Sequence, residues 1–391
     1  MSNRVVITEE TINHREYLVT ALFEGSRMAE VSCDAALEPS LIGNIYIGKI
    51  KRILPELGAA FVEIAPGKMT YLPLSEAGDA LMVKQQRAGV FTQEDEIVVQ
   101  IAKDAVKTKE PSVTTNLSIK GNALIFTAEN KKLGISKKIE SGKRKYFQSI
   151  FAEKMDGRFG LIVRTNAENC TKEQLTEEFD RLLYQFLLIL QQYRYRTCYS
   201  LLYQAPSEYI SRVRDYLVLR PEKIVTDDFG IYEELQQTFQ EEPVEFYEDA
   251  MLSLSALYGL KFKLKEALKE RVWLDSGAYL IIWPTEALTV IDVNSGKCFK
   301  GKRKDFYLKV NVEAAIEIAR QMRLRNISGI CIVDFINMDT KEAEEELIHV
   351  FKRELAKDTV PAVFVDFTRL GLAELTRKKV KKPLWEQITQ E

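Results

Sequence analysis

The stretch ALTVIDVNSGKCFKGKRKDF, residues 287–306, sets the terms for the fold. An alternating apolar run, the pattern of a buried strand, delivers Asp292 and Asn294 and then opens onto a burst of lysines. The stretch SGICIVDFINMD, residues 328–339, repeats the pattern and ends its apolar run at Asp334. Around them the chain alternates strand and helix from about residue 266, with strands ending at Asp292, Asp334 and Asp366. The helix NVEAAIEIARQMRLR can be capped by Asn311, and the next helix opens with Asp339 and Glu342 at capping-box spacing. The pattern predicts an α/β layer with polar groups gathered at the carboxyl ends of its strands, where sites in such sheets sit.

Paired aspartates on strand ends suit Mg²⁺, a hard cation that takes one or two protein carboxylates and keeps most of its waters for substrate oxygens. Asp292 and Asp334 supply such a pair, and Asn294, two residues on, shares a face with Asp292. The cations at 297–304 would hold a polyanion beside them. Spacing alone leaves a second reading open, in which the aspartates are turn formers and the lysines a solvated loop.

Working outward, residues 1–38 read as three partly alternating strands, VVITEE, EYLVTALFEG and RMAEVSCD. Between 39 and 119, short strands broken by Gly48, Pro55, Gly58, Pro66 and Gly67 predict a small antiparallel barrel. Phe61 and Tyr71 fall on its strands with Lys49, Lys51, Arg52, Lys68 and Lys109 around them, a combination that either stacks bases in a basic groove or places Phe61 in a core. From 120 to 205 strands such as FGLIVRT give way to a helix from Thr171, where Thr171 and Gln174 have capping-box spacing and Leu175, Phe179, Leu182, Phe186 and Leu190 line one face. Arg164 and Thr165 could grip a terminal phosphate through a guanidinium fork and a hydroxyl.

The totals narrow the classes. At 391 residues the chain should hold several domains, and its 46% hydrophobic and 29% charged content is that of a globular protein. A net charge of −2 confines any nucleic-acid surface to a local patch. Five scattered cysteines form no CxxC pair, so neither a zinc site nor a disulfide framework is readable. The start MSNRVVITEE lacks a secretory pattern and the longest apolar run, FLLIL, is too short to span a bilayer, so a cytoplasmic protein is expected. With two histidines, His14 and His349, and no nucleophile signature near either, carboxylate and metal chemistry is the better expectation.

The sequence resembles the ribonuclease E/G family of bacterial endoribonucleases along nearly its whole length. The resemblance is carried in order by IGNIYIGKIKRILPELGAAFVEI, GLIVRT, TEALTVIDVNSG, NVEAAIEIARQMRLRNISGICIVDFINM and TRLGLAELTRKK. It implies an α+β and α/β multidomain chain: an RNase H-like subdomain split over 1–38 and 206–265, an inserted OB-type RNA-binding barrel at 39–119, a 5′-phosphate sensor region at 120–205, and a DNase-I-like catalytic subdomain at 266–391. It maps Mg²⁺ binding onto Asp292 and Asp334, a catalytic role onto Asn294, RNA contact onto Phe61, Tyr71 and Lys109, and the sensor onto Arg164 and Thr165. The implied reaction is metal-assisted hydrolysis of single-stranded RNA to 5′-phosphate and 3′-hydroxyl ends, in ribosomal RNA processing and messenger RNA decay. The alternative is a non-catalytic RNA-binding protein on the same scaffold.

Four positions depart from the family pattern: Asn337 stands where DFIDM has its second aspartate, Val310 where threonine precedes the asparagine, Glu110 beside Lys109 where glycine is usual, and Pro361 at a further sensor arginine. The family's CPxC zinc link is not found before KKPLWEQITQE, so a homodimer stays open and a zinc-linked tetramer is not expected.

Overall fold

The computed structural model describes residues 2–35, 40–78, 80–84, 91–104, 110–296, 306–338 and 340–388. The chain divides into two compact units, one of residues 1–38 with 219–391 and the other of residues 39–218.

In the first unit the N-terminal strands Asn3–Ile12, Arg15–Glu24 and Arg27–Ala35 form an antiparallel meander. Lys223–Thr226 joins its free edge parallel to Asn3–Ile12, and Val244–Phe246 follows in parallel, giving a five-stranded mixed sheet. A second sheet of six strands runs in the order Arg271–Trp273, Tyr279–Pro284, Leu288–Asn294, Gly329–Asp334, Ala373–Arg377, Ala362–Phe367. Its central neighbours, Leu288–Asn294 and Gly329–Asp334, are parallel and are connected through the helix Phe306–Leu324.

Among the described residues, helices cover that second sheet on one face. Leu280, Ile282, Ile291, Val293, Cys331, Val333 and Leu375 turn inward against the helices Phe306–Leu324 and Lys341–Leu355. Their alternates Trp283, Val290, Ile330, Val363 and Val365 stay exposed. These runs read as buried strands in the sequence, and the structure buries one row of each while leaving the other exposed. LTVIDV and ICIVD are apolar at both parities, and a strand buried on both faces cannot be told by composition from one whose second apolar row is open.

Two helix starts also differ from expectation. The helix expected to begin at Asn311 already begins at Phe306, so Asn311 lies inside it and is fully buried. The following helix, Lys341–Leu355, is capped by Thr340, whose hydroxyl accepts from the Ala343 N–H; Asp339 lies outside the described residues.

The second unit contains a closed five-strand barrel. Ile45–Leu54 pairs with Ala59–Ala65 on one side and with Glu96–Lys103 on the other, and Lys68–Pro73 and Ser112–Thr114 complete the ring. Ile50, Ala60, Val62, Ile64, Leu72, Ile97, Val99 and Val113 fill it. Beside it stands a four-stranded sheet, Leu133–Ile135, Gly160–Val163, Leu124–Thr127 and Ser118–Lys120, packed on the helices Ser141–Phe151 and Lys172–Gln192. An aromatic group of Phe126, Phe151, Phe159 and Phe179 anchors that packing, with ring centroids 4.8–6.0 Å apart. The Thr171–Gln174 capping box is present in both directions. Ile189 closes the buried stripe of its helix, while Leu190, expected there, is half-buried. The helix Glu208–Tyr216, expected with 206–265, falls in this unit, where Arg214 donates to the Lys120 carbonyl. No described helix is long and apolar enough to cross a membrane.

Candidate functional site

Asp292 and Asp334 are directly opposed partners on adjacent parallel strands. Opposed residues project from the same face, with backbones about 4.8 Å apart, so the two carboxylates stand side by side. Both are exposed, and both belong to the open face of the six-stranded sheet at the carboxyl ends of its two parallel strands. The Asn294 amide donates to Asp292 Oδ2 at 2.7 Å, which restrains the rotamer of that carboxylate. Gly296 holds the turn that follows, at φ +58°, where an added Cβ would stand 2.4 Å from the Gly277 carbonyl oxygen. A side chain there would displace the end of the Asp292 strand.

The turn beyond Asp334 is held from behind. Asn311, buried mid-helix, donates to the Ile336 carbonyl at 2.7 Å and accepts from the Ile336 N–H at 3.1 Å. Sequence reasoning saw Asn311 as a helix cap, since residue type suits either role and the partner is remote in sequence. Asn337 follows, exposed. Asp366 does not join the pair: it lies across Glu374 on the edge strand, two strands from Asp334, and accepts from the Phe367 N–H at 2.8 Å. Among the described residues no group of three or more His, Cys, Asp or Glu is placed to hold a metal. The donor set is thus two carboxylates, one of them oriented by the Asn294 amide, a set that fits Mg²⁺, which uses few protein ligands alongside substrate oxygens and water. The cations of 297–304 lie outside the described residues.

On the barrel, Phe61 and Tyr71 are cross-strand partners, ring centroids 6.0 Å apart in an edge-on arrangement. They alternate with the interior residues Val62 and Leu72 and are half-buried, so they belong to the outer surface and not to the barrel core. Arg52 stands opposite Phe61 and is exposed. Lys51 is balanced by Glu63 and Glu94, and Lys49 by Glu94, at 3.4–3.5 Å. The Tyr199 hydroxyl and the Gly67 N–H hold the Glu63 carboxyl below the usual carboxylate range, so it stays anionic beside Lys51. Lys109 lies outside the described residues; Glu110 is exposed.

Arg164 closes the strand Gly160–Val163 and precedes a short 3₁₀ turn that starts at Thr165. Its guanidinium donates to the Gly121 carbonyl at 3.0 Å and pairs with the Asp215 carboxylate. The Thr165 hydroxyl is 3.0 Å from that of Ser136. The two expected sensor residues are adjacent, but Arg164 already has an internal anion, a partner that no local sequence signal announced.

Paired carboxylates at the ends of two central strands, and outward aromatics on a separate closed barrel, are features expected of an enzyme that acts on nucleic acid. The ribonuclease E/G family profile matches residues 118–380, more than half of the chain. Ribonuclease G of Salmonella typhimurium (strain SL1344) is 31% identical, over 93% of this chain and 78% of its own length. Ribonuclease G of Haemophilus influenzae is likewise 31% identical, over 93% and 78%. Ribonuclease E of Synechocystis sp. is 32% identical over 100% of this chain and 59% of its own length. The chain belongs to the ribonuclease E/G family, and its activity is that of an endoribonuclease.

Proposed function

We propose that this endoribonuclease hydrolyses single-stranded RNA with Mg²⁺ at Asp292 and Asp334, leaving 5′-phosphate and 3′-hydroxyl ends, in RNA processing and decay. The observation that carries the proposal is the register pairing of the two aspartates on an open sheet face, with Asn294 bound to one of them. Asp292 and Asp334 would hold the cation, and Asn294 keeps Asp292 in the rotamer that faces it. When bound, the cation supplies charge neutralisation at the scissile phosphate and activation of water. Neither histidine nor cysteine is needed, and the two carboxylates would act as ligands.

On the barrel, Phe61 and Tyr71 offer ring surface to unpaired bases, and Arg52 beside them supplies a cation. We assign Lys109 to the same RNA contact from the family pattern. Arg164 and Thr165 would take a 5′-terminal phosphate, which must compete with Asp215 for the guanidinium. That competition sets a weak sensor. The five-stranded sheet, with an antiparallel meander extended by two parallel strands, supports an RNase H-like reading, and the six-stranded mixed sheet a DNase-I-like one.

Cleavage of a 5′-monophosphorylated A/U-rich RNA by purified protein tests this reading. Asp292→Asn and Asp334→Asn should each lower kcat by at least about a hundredfold, the scale of several kcal/mol of lost charge stabilisation. RNA affinity and melting temperature should hold, and EDTA should abolish cutting by the wild-type chain. Full cleavage by either variant removes the metal assignment. Binding without cutting by the wild type would make the chain an RNA adaptor.

A further inference from the structure

The open face that carries the carboxylates continues sideways into a second group of side chains. Asp334, Asp292, Ile281 and Arg271 are successive opposed partners across four adjacent strands. The next row along the strands is Asn294, Tyr279 and Trp273. Opposed partners share a face, so Arg271, Trp273 and Tyr279 stand on the same side as the aspartates. With neighbouring strands about 4.8 Å apart, Arg271 lies about 10 Å from Asp292 along the row.

These three side chains form one cluster. The Trp273 and Tyr279 ring centroids are 5.2 Å apart, with planes inclined at 60°. The Arg271 guanidinium sits over both rings, 4.7 Å from the centroid of Tyr279 and 5.7 Å from that of Trp273. Trp273 is 63% exposed. Among the described residues no carboxylate pairs with Arg271. A guanidinium held by ring faces keeps its N–H fork for an outside anion. An exposed indole on a three-residue edge strand is otherwise an unfavourable display of apolar surface.

We propose that Arg271, Trp273 and Tyr279 form a nucleotide subsite for the RNA residue next to the scissile phosphate: its base stacks on Trp273 and its phosphate is met by Arg271. The proposal rests on the Asp292–Asp334 pair being the cleavage centre. Its occupant follows from the chemistry of these side chains. A flat π-surface beside a free guanidinium is the device that binds single-stranded nucleic acid without base identity, and it lies one nucleotide's reach from two residues placed to serve a phosphodiester. The subsite would contribute affinity and positioning, with little sequence preference. It would therefore select unpaired over duplex RNA, whose bases are already stacked.

The test measures the Kd of a short A/U-rich single-stranded RNA for full-length protein in Mg²⁺ buffer, in an Asp334→Asn background that removes cutting. In that background Trp273→Ala should weaken binding about five- to fiftyfold, the usual effect of removing one base-stacking aromatic. Trp273→Phe should recover most of the loss. Arg271→Gln should weaken binding and reduce the salt slope by about one. With Asp334 intact, Trp273→Ala should raise KM more than it lowers kcat. Unchanged Kd, salt slope and KM, with only a lower melting temperature, would mean that the cluster merely braces the edge strand, and would overturn the proposal. If the Asp334→Asn chain cuts normally, the carboxylate reading falls instead, while the Kd values still decide whether the cluster binds RNA.

Discussion

Asn311 shows how a single buried polar residue can matter as much as the residues that face the substrate. An amide in the middle of a packed helix is costly unless both its ends are satisfied. Here both are, by the two main-chain groups of Ile336, two residues past Asp334. Asn311→Leu leaves that N–H and C=O without partners, at about 2–4 kcal/mol. The melting temperature should fall, and kcat should fall further than KM rises, since the turn that aims Asp334 loosens. Asn311→Asp, which can still accept from the N–H, should lie between wild type and leucine. A kcat unchanged by Asn311→Leu would show that Asp334 needs no such support. Neighbouring Cys331 carries a pH signature. Burial pushes its thiol up to about 12, against about 8.5 in an unfolded chain. A raised thiol contributes stability that is complete below about 8.5 and is lost as pH climbs towards 12. The alkaline fall in unfolding free energy should therefore be shallower in Cys331→Ala than in wild type, measured by denaturant titration at a series of pH values. The juxtaposition of Asp292, Asn294 and Asp334 was legible because acidic and amide residues interrupt apolar runs. The Asn311 clamp was not, because asparagine before an apolar-periodic segment has the same appearance whether it caps a helix or braces a distant loop.

At the scale of the element, local signals were read well where they are self-contained. Thr171 and Gln174 satisfy one another's backbone N–H groups without help from any other part of the chain. Thr171→Ala should cost about 1 kcal/mol of stability. A denaturant melt should show it as a lower midpoint with an unchanged slope, and an equal midpoint would show the box to be idle. The next cap slipped by one residue, from Asp339 to Thr340, because both are good N-cap types and only the chain's entry angle chooses between them. The strands were harder. Val290 and Ile330 are exposed while Ile291 and Cys331 are buried, yet both rows of each strand carry apolar residues. Which row lacks a covering layer depends on helices far along the chain, so the open face, and with it the company that Asp292 and Asp334 keep, could not be seen in the sequence. The same blindness hid the Arg271–Trp273–Tyr279 cluster, whose members come together only through strand register.

At the scale of the molecule, the first unit is discontinuous: the strand Asn3–Ile12 pairs with Lys223–Thr226, and the whole of the second unit lies between them in sequence. Joining strands so far apart carries a loop-closure cost that grows with the logarithm of the intervening length. An intervening segment that folds by itself shortens the effective loop and lowers that cost. Residues 39–218 have what independence requires. The barrel interior is filled by its own residues, and the neighbouring sheet and helices bury a core around Phe126, Phe151, Phe159 and Phe179. Their size lies within the usual domain range. Residues 39–218 produced as a separate polypeptide should therefore melt cooperatively, keep near-ultraviolet circular dichroism from packed aromatic rings, and protect amides of Ile45–Leu54 and Ala59–Ala65 from exchange. In the full-length chain the same amides should gain protection before those of Asn3–Ile12 during refolding, because the latter wait on a partner strand delivered from beyond the insert. A separate 39–218 that exchanges freely and melts without a transition would show that the insert needs the first unit to fold. The order of assembly would then run from the discontinuous sheets inward.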